Sequence, residues 1–213
     1  MPIIALLEDA GSTELANLLP GIFEPEYSAT ATFGEDGVYV GNARIGGAGQ
    51  KLPNRTALAL SDYAVGSAVL TVPSGEYLED GLGVDSIDVA VALNHRDQKA
   101  RAAIHGLAKS ARAIVLPAKS GLEFRSYFDT DPAIWWFGDA MDNELPRGQF
   151  NRVFWRDQAT LLISPAGASP TSVQFEIFDQ TISRDGLLIF ATIATALGVA
   201  SDLIPQKLPR SGK

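Results

Sequence analysis

Residues 183–206, SRDGLLIFATIATALGVASDLIPQ, hold no charged side chain between Asp185 and Asp202. Such a stretch is either a membrane span or the buried spine of a folded domain, and that choice fixes the architecture. From Gly186 to Ser201 there are 16 uncharged residues. At about 1.5 Å per residue they reach roughly 24 Å as a helix, short of the ~30 Å hydrocarbon core. Extending the segment through Asp202 places a carboxylate in lipid at a cost of about 2.5–3.5 kcal/mol, and Thr192, Thr195 and Gly198 lower its hydropathy. The stretch therefore reads as a core helix over about residues 185–203. Being apolar all round, it needs apolar walls on every side. The basic tail residues Lys207, Arg210 and Lys213 keep a cytoplasm-facing anchor as the alternative.

Upstream segments offer the walls. YSATATF (27–33) and VYVGNARI (38–45) flank a turn and read as a hairpin. TALAL (56–60), YAVGSAVLTV (63–72) and SIDVAVALN (86–94) read as strands separated by turn-rich segments such as PSGEYLEDGLG. AIVL (113–116), LEFRSYF (122–128), NRVFWR (151–156), ATLLIS (159–164) and SVQFEIF (172–178) continue the series. Helical periodicity is expected at about 12–19, where Ser12 offers an N-cap and Pro20-Gly21 a stop, and at about 97–112. In the latter, Ala100, Ala103, Ile104, Leu107 and Ala111 share one face of an amphipathic helix. The expectation is a single β-rich α+β domain over residues 1–213. Its antiparallel sheet, sandwich or barrel would pack around the apolar C-terminal helix.

An alternating strand (SVQFEIF), a turn with an acid (QTISRD) and a wholly apolar C-terminal helix resemble the end of the tubby-like barrels, the group of LURP-one-related proteins and phospholipid scramblases. That resemblance implies a barrel around a central C-terminal helix, with phosphoinositide binding through basic side chains in some members. No lipid-binding motif of that group matches this sequence residue by residue.

The chain carries a net charge of -8, which disfavours a nucleic-acid partner. Charge is segregated: residues 1–90 hold 13 acids and 3 bases, residues 91–128 hold 2 acids and 7 bases. Without cysteine, and with only His95 and His105, thiolate and histidine-rich metal centres are excluded. Met1–Leu7 lacks a basic n-region before Glu8 and Asp9, so a cytoplasmic location is expected.

Three clusters are candidate sites. Arg101, His105, Lys109 and Arg112 on the polar face of the mid-chain helix form a docking face for an anionic or protein partner, or a solvated face. Trp135, Trp136 and Phe137 cannot all enter one core from an extended segment, so they form either an interface or a buried cluster packed under a loop. Asp129 and Asp131 have the DxD spacing that holds a divalent cation in some glycosyltransferases, or they cap a turn before Pro132. No Gly-rich phosphate loop follows a strand, and G-x-S-x-G and H-E-x-x-H are absent.

The sequence thus favours a non-enzymatic binding or assembly protein. It would engage protein subunits in an oligomer or larger particle, without a cofactor and with no specific small molecule implied. The alternatives are a membrane- or anionic-lipid-associated barrel protein and a metal-dependent transferase using Asp129 and Asp131.

Overall fold

The computed structural model describes residues 1–7, 12–23, 29–34, 36–93, 97–120, 133–139, 150–175 and 182–208. Its centre is the short apolar run IIALL, strand β1 (Ile3–Leu7), every residue of which is buried. An all-buried strand has a core on each face, the signature of a parallel sheet covered by helices on both sides. The flanking elements build that sheet. They are α1 (Ser12–Leu18), β2 (Ala29–Gly34), β3 (Gly37–Val40), β4 (Ala43–Gly46), α2 (Leu52–Ser61), β5 (Val65–Val72), α3 (Ser74–Asp80), β6 (Ile87–Val91), α4 (Gln98–Ala108), β7 (Ala111–Pro117), β8 (Ala133–Asp139), β9 (Asn151–Trp155), β10 (Thr160–Ser164), β11 (Thr171–Gln174) and α5 (Arg184–Ala196).

The eleven strands form one sheet in the order β11-β10-β9-β8-β7-β6-β1-β5-β2-β3-β4. From β9 across to β2 every neighbouring pair is parallel. The antiparallel pairs are the outer ones, β9-β10-β11 at one edge and β2-β3-β4 at the other. This corrects the expected antiparallel barrel or sandwich: the protein is β-rich, but its sheet is open, large and mostly parallel. TALAL, expected as a strand, lies inside α2, whose buried residues Leu52, Arg55, Thr56 and Ala59 recur at helical spacing after a Pro in the first turn. PSGEYLEDGLG, expected as a turn, contains α3. VYVGNARI splits into β3 and β4 around Gly41, whose φ of 57° suits the tight turn.

Alternate residues of β1 feed two cores. Ile3, Ala5 and Leu7 face the side covered by α2, α3 and α4, while Ile4 and Leu6 face the side covered by α1 and α5. On the first side the buried Arg55 of α2 pairs with Glu76 of α3 and its guanidinium lies 5.4 Å from the Phe33 ring centre. On the second side α5 packs on β7, β8 and β9 and against α1. Its residues from Gly186 to Ala194 are buried, including the mid-helix Ile193. The hydroxyls of Thr192 and Thr195 donate back to the carbonyls of Leu188 and Ala191 at 2.7 Å, so neither enters the core unsatisfied. The greasy segment is therefore a spine lying on one face of a sheet, not a rod inside a barrel. No helix among the described residues is long and apolar enough to cross a membrane.

Candidate functional site

In an open α/β sheet, ligands settle at the carboxyl ends of the parallel strands, where successive connections leave in opposite directions. Here that point is at β1. Its chain leaves through α1 towards β2 and β5, and β6 then returns on the other side of β1. At the carboxyl edge beside it lies a cavity of about 330 Å³, within the ordinary range for small-molecule sites.

Its floor is apolar and comes from the strand ends: Leu93 just beyond β6, Pro117 closing β7 and Phe137 in β8. The walls are the first turns of two helices, with Glu14 and Leu15 from α1 and Ser183, Asp185, Gly186 and Ile189 from the start of α5. These turns are stitched together. Ser183 is the N-cap of α5, its Oγ accepting the Gly186 N–H at 2.9 Å. The Glu14 carboxylate in turn accepts the Ser183 N–H at 2.7 Å and the Ser183 hydroxyl at 2.8 Å. Arg184, the one cation in the first turn of α5, points away from the cavity. Its guanidinium lies 4.9 Å from the Trp155 ring centre and donates to the Asp157 carbonyl at 3.2 Å. Asp157 itself has its carboxyl held below the ordinary value, first by the Ala159 N–H and then by the Thr160 hydroxyl.

The described lining therefore holds two carboxylates and no cation. Such a lining suits a ligand with a positively charged amine and a modest apolar body. Among the described residues no group of three or more His, Asp or Glu side chains is placed to hold a metal ion.

The residues singled out from sequence are dispersed. Arg101 and His105 lie on α4, which ends at Ala108. Lys109 is its C-cap, and Arg112 belongs to β7, where it pairs with Asp88 at 3.2 Å. The four do not share one helical face, because the apolar run from Ala111 pulls the chain into the sheet. Trp135 and Trp136 are 8% and 1% exposed, one in each core, and Phe137 is half-buried at the cavity. The premise of a single core does not hold for β8, which is covered on both faces. Asp129 and Asp131 lie outside the described residues. Glu14, Ser183 and Leu93 carry no sequence motif; the one signal, for Glu14, is the apolar run IIALL followed after four residues by the helical pattern STELANL.

No family model matches the chain. Over 94 residues, 44% of its length, it is 31% identical to the cyanophycin synthetase of Geminocystis herdmanii, and over an equal length 30% identical to that of Trichormus variabilis. The match spans about a tenth of those proteins, 11% and 10%. Among solved structures, a UDP-N-acetylmuramoyl-L-alanyl-D-glutamate–2,6-diaminopimelate ligase superposes on the whole chain with a TM-score of 0.67 at 18% identity, and the chain covers 47% of it. The folylpolyglutamate synthetase of Lactobacillus casei gives 0.56 at 13% identity, with 63% of that chain covered.

The fold is that of the Mur-type ligases. This overturns the resemblance to tubby-like and scramblase barrels, which rested on one strand and one helix at the C-terminus and not on the order of the sheet. It overturns equally the expectation of a non-enzymatic structural or assembly protein forming oligomers, since the relatives and fold neighbours are synthetases and ligases by name.

Proposed function

We propose that this chain is the sheet-bearing part of a ligase that joins the amino group of an amino-acid-like substrate to a carboxylate, with the amine-bearing substrate seated in the cavity beside α5. The observation that carries the reading is the cavity's place, at the carboxyl edge of a parallel sheet of ligase type, with acidic groups over an apolar floor. The likeness to cyanophycin synthetases supports it. Asp185 and Glu14 attract the substrate's cation, and Leu93, Phe137 and Ile189 enclose its apolar part and exclude water from it.

Amide formation from a free carboxylate is uphill in water, so a ligase needs a phosphoryl donor, supplied by a nucleoside triphosphate such as ATP. Residues 8–11, between β1 and α1, are Glu, Asp, Ala and Gly and offer no cation to that group's phosphates.

Calorimetric titration of the full chain with the proteinogenic amino acids tests the cavity. At least one is expected to bind, with affinity falling about tenfold in Asp185→Asn, the loss of one charge-assisted contact. With ATP, magnesium and an N-acetylated amino acid as the carboxylate partner, mass spectrometry is expected to show an amide product, with release of inorganic phosphate, that forms only when that amino acid is present. If no amino acid binds, or if binding ignores both Asp185→Asn and Phe137→Ala, the reading fails.

A further inference from the structure

Where a parallel sheet receives a nucleotide, the loop leaving a central strand offers glycine N–H groups and a lysine to the phosphates. In this chain the stretch from Leu7 to Leu15 reads LEDAGSTEL. It has three carboxylates, one glycine and no basic residue, and the first basic side chain of the whole sequence is Arg44. The described geometry points the same way. The Glu14 carboxylate takes both the N–H and the hydroxyl of Ser183, at 2.7 and 2.8 Å, and Ser183 Oγ takes the Gly186 N–H at 2.9 Å, so an anion of the protein itself already sits against the N-cap of α5. The approach is close enough that a Cβ on Gly186 would come within 2.6 Å of the Glu14 Oε1. Arg184, the nearest cation on α5, is committed to Trp155 and the Asp157 carbonyl.

We infer that Glu14 stands where a nucleotide's phosphate would be received, closing this corner to nucleoside triphosphates, so that the phosphoryl donor is held elsewhere than between β1 and α1. The first part rests on the acidic sequence and the contacts above; only the second rests on the ligase reading. The corner becomes a fixed joint between α1 and α5, and the cavity beside it is left to the amine-bearing substrate.

Hydrogen exchange of the full chain, read by mass spectrometry with magnesium-ATP or inorganic tripolyphosphate at millimolar concentration, tests the inference. In the wild-type protein the first turns of α1 and α5 are expected to exchange at unchanged rates. In Glu14→Gln, which keeps the side chain's length and an acceptor oxygen for Ser183, tripolyphosphate is expected to protect both turns, with affinity raised about tenfold over wild type by removal of one like charge. Protection of these turns in the wild-type protein overturns the inference. Protection in neither protein removes Glu14 as the cause and overturns it equally. The ligase reading is judged separately: a chain that makes no amide while showing the expected exchange pattern defeats that reading and leaves this one standing.

Discussion

The cavity beside α5 and the basic end of α4 are the two regions where charge and shape invite a ligand, and they are built in opposite ways. The cavity is concave and lies at the carboxyl edge of the parallel strands. Its polar groups are fixed by a carboxylate joining two helix starts. The α4 region faces solvent. Arg101 and Lys109 are exposed, His105 is half-buried, and Arg112 sits on the neighbouring strand. Charge segregation along a sequence marks where solvent is met, whereas a site is marked by where strand ends and helix starts converge. That convergence is a property of topology.

Substitutions separate the two regions by the size of their effects. Phe190→Ala removes a fully buried ring from the core beneath α5 and is expected to cost about 3–5 kcal/mol, measured by denaturant unfolding. Gly186→Ala forces a methyl against Glu14 at the joint and is expected to cost about 1–3 kcal/mol, with exchange of the first turn of α5 accelerated along with it. On the other face, Asp97→Ala removes the N-cap of α4, whose carboxylate accepts the Ala100 N–H at 2.7 Å. A loss of about 1 kcal/mol is expected there, leaving amino-acid binding at the cavity unchanged. Lys109→Gln, at the exposed C-cap, is expected to shift stability by less than about 0.5 kcal/mol. A large loss of ligand binding in Lys109→Gln would reverse the ranking of the two regions.

Much of this contrast is hidden in the sequence for a physical reason. Amphipathic α4 and apolar α5 are legible because helical periodicity and the absence of charge are local features. Strand β1 is not: buried on both faces, IIALL has no alternation and reads as a bare apolar run. Without it the strand–helix alternation of the first 90 residues disappears, and with it the parallel sheet. The crossover helices added to the difficulty. TALAL is equally an apolar strand until Leu52, Arg55, Thr56 and Ala59 are seen to bury together, and α3 is only seven residues long. Trp135 and Trp136 show the same limit, since adjacent bulky residues conflict with one core but satisfy two. The acids Glu8 and Asp9 were plain in the sequence as interruptions of an apolar run. Their bearing on nucleotides became readable only once that run was known to be the central strand.

A crystal structure of the full chain bound to the tightest-binding amino acid tests the central claim most directly. The account predicts density at the carboxyl edge of the sheet, its ammonium facing Asp185 and its apolar part against Leu93, Phe137 and Ile189, with the Glu14–Ser183 contacts intact. Density on the exposed face of α4 beside Arg101 and Lys109, with the cavity empty, would contradict it.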